Sequence, residues 1–229
     1  MLELIRKDVG LCRNVLLGGL IALLAPYAWV LSEILDNTFN TPGWTYEEAI
    51  ELFCLRAIWA SLLSVYFSIV HIAFLAGFIV AGERRDRSAE FLAFLPPAKW
   101  MVISSKAIVC LGWAALVAIL YFLFTELIVP WVSDGEYSYR QSGGMSLAVP
   151  AYALTVFGGA WLLSCCIESP IFSIIAGLLA PFLIVSTLYL VGRWIGSVDI
   201  GLSTNWVFTI IGFASFFGGV WHFTSRVEP

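Results

Sequence analysis

A chain of 229 residues with 60% hydrophobic and 12% charged side chains, and a mean hydropathy of +0.91, is far too apolar for a soluble domain. It reads as an integral membrane protein. The net charge of −4 comes with no internal repeat and no nucleic-acid-binding pattern, which excludes a nucleic-acid partner.

The first 14 residues carry mixed charges in an amphipathic pattern, with Leu2, Ile5, Val9 and Cys12 at helical spacing. The apolar run that follows continues towards Leu35, too long for a cleavable signal core, so the start predicts a helix lying on the inner membrane surface. A bilayer core of roughly 30 Å needs about 20 apolar residues in a helix. Six segments meet that requirement: Val15–Leu35, Ala57–Ala81, Ala107–Val129, Ser146–Cys166, Pro170–Val191 and Thr204–Phe223. Without strict alternation such runs are helices, because lipid offers the backbone no hydrogen-bond partners. The fold class is therefore all-α, one polytopic transmembrane domain over residues 1–229, with kinks expected at Pro26 and Pro181.

With a cytoplasmic amino terminus, six spans return the carboxyl terminus to the same side. Nine of the twelve Lys and Arg residues then fall inside, and only Arg56, Arg140 and Arg193 fall outside. Acidic residues gather in the outer loops, where Thr45 to Arg56 reads as a short helix with Glu47, Glu48 and Glu51 on its wet side. Trp29, Trp44, Trp131, Trp194 and Trp206 lie near the outer boundary, and Trp100 and Trp221 near the inner one, as interface anchors do. Five scattered cysteines make no disulfide framework and no metal site, and read as packing residues.

In the second span Ser61, Ser64, Ser68 and His71 recur at spacings that put them on one helical stripe. They either line a water-filled path or bond to their own backbone and neighbouring helices. Ala73, Gly77 and Ala81 form a second stripe of small residues, where another helix can approach closely.

Between the second and third spans runs GERRDRSAEFLAFLPPAKWMVISSK, from Gly82 to Lys106. Asp86 or Ser88 can cap a short helix there, and Pro96 disfavours helix at Leu95. Phe91 and Leu95, one turn apart, would present an apolar ridge flanked by charges, suited to a groove on a soluble partner. The chain has no HExxH, no GxSxG, no paired intramembrane carboxylates and no GxxxxGK[ST] loop. It has no room for a nucleotide-binding domain either, so any energy from ATP must arrive through another polypeptide.

This loop resembles that of the membrane subunits of type-2 ATP-binding-cassette transporters. In that family a glutamate follows the second span, then a polar stretch, then E-x-L-x-x-L-P, basic residues and a lysine that opens the third span. Here stand Glu83, Arg84 to Ser88, Glu90-Phe91-Leu92-Ala93-Phe94-Leu95-Pro96, Lys99 and Lys106. Phe91 replaces the usual aliphatic residue, and Pro97 doubles the proline.

The resemblance implies a permease subunit, not an enzyme by itself, which pairs with a second membrane subunit, identical or related, and with two ATP-hydrolysing subunits that hold ATP and Mg. It implies a coupling segment over residues 83–99, contacts to the ATPase from Glu83, Arg84, Arg85, Arg87, Glu90, Phe91 and Leu95, and export rather than import. Glu168, on the short turn from Cys165 to Pro170, is a candidate second contact. The path-lining role of Ser61, Ser64, Ser68 and His71 also rests on the family, whose second and fifth spans border the route. This chain would itself bind no cofactor or metal and would sit in the cell membrane, in bacteria the inner one. The alternative classes are a membrane enzyme or assembly factor that works without ATP, and a membrane anchor for a soluble complex.

Overall fold

The computed structural model describes residues 1–40, 45–85, 99–132, 145–195 and 200–226. Among the described residues the protein is helical throughout: α1 Leu2–Leu11, α2 Arg13–Asn40, α3 Tyr46–Arg85, α4 Lys99–Phe122, a π-helical turn Leu123–Ile128, α5 Val129–Val132, α6 Met145–Cys166, α7 Pro170–Ile195 and α8 Ile200–Arg226. Six of these stretches are long and apolar enough to cross a membrane. The chain is a multi-pass, all-α membrane protein.

Several helix limits follow directly from local chemistry. At the start of α3, the Glu48 side chain accepts from the Thr45 amide at 2.9 Å while the Glu48 amide donates back to the Thr45 hydroxyl at 3.3 Å. This reciprocal capping box fixes where the helix begins. The outer segment expected as a separate short helix is thus the first part of α3, a single helix of 40 residues, about twice what a bilayer core requires. Glu47, Glu48 and Glu51 are exposed on it.

The third span likewise extends beyond its expected end. Pro130 has no amide hydrogen to give the Glu126 carbonyl, and the ladder shifts into π register just upstream of it, over Leu123–Ile128. Helical structure continues through Pro26 and Pro181, and also through Pro150.

By internal contacts the chain forms two compact units. The first comprises residues 1–15, 69–111 and 144–229. Within it α6 packs closely against both α7 and α8. A β-carbon on Gly158 would lie 2.3 Å from the Gly212 carbonyl oxygen, so α6 and α8 meet backbone to backbone at that crossing. The Thr155 hydroxyl, a turn earlier, lies 2.8 Å from the Phe208 carbonyl of α8. Trp161, Phe157 and Phe216 fill the next layer with ring centroids 5.5–5.7 Å apart. On α3, Gly77 stands where a β-carbon would meet Ile174 at 2.7 Å, and its neighbours Ala73 and Ala81 are fully buried. The small-residue stripe is therefore the seat of α7.

The second unit comprises residues 16–68 and 112–143. Here Tyr27 of α2 donates to the Ser61 hydroxyl at 3.1 Å and stacks on Phe124 with centroids 4.3 Å apart. Cys54, Ala57 and Val129 form a buried apolar cluster with Ile50, Phe53, Ile58 and Val132 packed on it. Arg56 pairs with Glu33 at a half-exposed position.

Trp29, Trp131, Trp206, Trp100 and Trp221 are all exposed, as interface anchors require, while Trp113 and Trp161 are core residues.

Candidate functional site

Charges are scarce in this chain, and four of them converge in the first unit. Asp8 sits in the last turn of α1 and is only 3% exposed, although the sequence pattern placed apolar residues on the buried face of that helix. Cys12, four residues on and so on the same face, is buried with it. By contrast Leu2, Val9 and Leu11 are exposed. What turns the helix this way is Lys106, in the second turn of α4 and 1% exposed.

The Lys106 ammonium lies 3.1 Å from Asp8 Oδ1 and 2.7 Å from Glu83 Oε2. Lys7 Nζ closes the group at 3.1 Å from Glu83 Oε1. The Ser105 hydroxyl is 2.6 Å from Asp8 Oδ2 and 2.9 Å from the Val102 carbonyl, so its one proton serves one acceptor at a time. Two carboxylates and two ammonium groups sum to zero formal charge. Three helices, α1, α3 and α4, are held at one point.

Such a cluster owes its existence to being complete. Ions taken out of water lose solvation worth several kcal/mol each, and mutual attraction with full hydrogen bonding is what offsets it. Removing Lys106 leaves the Asp8 and Glu83 carboxylates shut in without their shared cation, whereas Lys7, 35% exposed, reaches water. The apolar neighbourhood is visible at Cys12: burial pushes its thiol up from 9.0 to about 11, and the attraction of Lys106 only partly opposes this.

Of the residues expected to touch an ATPase, Glu83 is in this cluster, with both carboxylate oxygens engaged by lysines. It therefore organises the end of α3 from within. Arg84 and Arg85 close α3. Arg87, Glu90, Phe91 and Leu95 lie outside the described residues. Glu168 is exposed on the turn between α6 and α7. That turn leads into Pro170, whose carbonyl faces Gly77, so it runs beside α3 about 9 Å along the helix from Glu83.

The polar stripe divides at the unit boundary, with Ser61, Ser64 and Ser68 in the second unit and His71 in the first. All four are buried. Ser61 donates to the Ala57 carbonyl at 2.8 Å, and Ser64 to the Leu23 carbonyl of α2 at 2.6 Å. These two hydroxyls join helices of the second unit. Among the described residues Ser68 Oγ is buried with no hydrogen-bond partner.

Sequence reasoning singled out Glu83 and noted Lys106, but not the pairing, and it missed Asp8, Lys7 and Ser105 as members. A signal was available. Asp8 is the acid set four residues before Cys12 on an otherwise apolar face, and Glu83 and Lys106 sit at the two apolar edges of one loop. Compared with protein-family models, with characterised proteins and with solved structures, the chain matches none.

Proposed function

We propose that this protein is the membrane-spanning subunit of an ATP-driven transporter of the type-2 ATP-binding-cassette kind, an exporter in which a separate subunit hydrolyses ATP. The observation that supports this most is the ion pair between Glu83 and the buried Lys106, which closes the two ends of the loop whose sequence resembles that family's coupling segment and ties both to Asp8 of α1.

A push on that loop needs something stiff to act on. Fixed by ion pairs around the buried Asp8–Lys106 pair, the end of α3, the start of α4 and α1 would move as one body rather than fray separately. Closure of two ATP- and Mg-loaded partners against the ridge of Phe91 and Leu95 would then displace α3 and α4 together. Glu168, on a turn beside the same stretch of α3, provides a second place for the partner to bear.

In this reading both termini and the loop are cytoplasmic, the membrane is the bacterial inner membrane, and a second membrane subunit completes the path. Ser61, Ser64, Ser68 and His71 are sealed in the conformation described and become path-lining only when α3 shifts. Replacing Phe91 and Leu95 together by Asp is expected to abolish stimulation of the partner's ATP hydrolysis and leave membrane insertion intact. Unchanged stimulation and transport in that variant would refute the proposal.

A further inference from the structure

α1 has two faces with different duties, and only the inner one is explained by the ion cluster. Leu2, Arg6 and Val9 follow one another at spacings of four and three and so form a single ridge along α1, and Arg13, the first residue of α2, follows just past the turn at Cys12. All four are exposed, Leu2 by 82% and Val9 by 42%. The helix is also at the membrane boundary by connectivity, since Cys12 alone separates it from the span that begins at Arg13.

Charge is sorted across the two faces. The acid Asp8 is turned inward and neutralised by Lys106, while the exposed face carries Arg6 and Arg13 against Glu3 alone, a formal excess of +1. Two apolar side chains beside two guanidinium groups is the arrangement with which an interfacial helix sinks its stems into acyl chains and leaves its cations among headgroups.

We infer that the Leu2–Arg6–Val9–Arg13 ridge is a binding surface for anionic phospholipid headgroups of the adjoining leaflet. Each arginine near such a surface multiplies the affinity about fivefold, so the pair contributes on the order of thirtyfold. Bidentate guanidinium–phosphate geometry favours Arg over Lys in strength, but either preserves the charge. The inner ion cluster sets the orientation, because it fixes which face of α1 remains outward. Lipid recognition at this ridge does not depend on the transporter reading and is tested on the chain alone.

The experiment is amide hydrogen exchange of the full chain in nanodiscs of phosphatidylcholine, with and without phosphatidylglycerol. The wild type should show protection of the α1 amides rising on the order of tenfold with the anionic lipid, and the gain should shrink at high salt. Arg6→Gln with Arg13→Gln should lose the gain, and Arg6→Lys with Arg13→Lys should keep most of it. Equal protection in both lipids, or a gain that persists in the Gln variant, would overturn the inference. So would protection that appears only when an ATP-hydrolysing partner is added, since the ridge would then be a protein-docking face.

Discussion

Lys106 shows how much a single side chain decides in an apolar protein. Changing it to Met leaves Asp8 and Glu83 buried without their shared cation and should cost about 3–5 kcal/mol, read as a lowered unfolding midpoint in detergent. Adding Asp8→Leu and Glu83→Leu to that variant removes the uncompensated charges and should restore most of the stability, while the proposed transport stays lost. Full activity in the apolar triple variant would mean that the cluster is only a packing solution. Cys12, beside it, gives a pH signature. Because its thiol is raised from 9.0 to about 11 in the fold, the unfolded chain ionises first, and the contribution of the neutral thiol is complete below pH 9 and lost through about pH 11. Denaturation midpoints of wild type and Cys12→Ala should therefore converge across that interval, and parallel curves would contradict the assignment. Gly158 is decided by space rather than charge: with the Gly212 carbonyl 2.3 Å from any added β-carbon, Gly158→Ala must separate two backbones. A loss of about 1–3 kcal/mol in a thermal melt is expected.

At the level of helices, the spans and their approximate centres were legible because a bilayer imposes one requirement, length of apolar helix, that composition alone reveals. The Ala73–Gly77–Ala81 stripe was legible for the same kind of reason, since small side chains in a membrane helix have little use except close packing, and Ile174 of α7 fills that place. Helix ends were less so. The merging of residues 45–56 into α3 turns on continuity between polar and apolar stretches, to which hydropathy is blind, although the capping pair Thr45 and Glu48 was there to be read. The facing of α1 was missed because an amphipathic pattern assumes that polar residues point to water. Asp8 instead points to Lys106, 98 residues away in sequence, and an acid on an apolar face signals burial without naming its partner. The serine stripe was visible as a stripe, but what it bonds to depends on which carbonyls of α2 lie opposite, and spacing within one helix carries no information about that.

For the molecule as a whole, two compact units share α3 and α4, and the ion cluster belongs to the unit that contains the edges of the charged loop. The proposed transporter subunit, driven from outside itself, would use both features seen here, spans that pack on small residues and one charge-locked place where α1, α3 and α4 meet. The transport account stands or falls on a separate motor. The most direct measurement is purification of the native assembly in mild detergent, with mass identification of the bound chains and an assay of ATP hydrolysis, for wild type and for the Phe91→Asp, Leu95→Asp variant. The account predicts an ATP-hydrolysing chain in stoichiometric amount with the wild type and its loss from the variant. An assembly with no ATP-hydrolysing chain, or one equally retained by the variant, would contradict it.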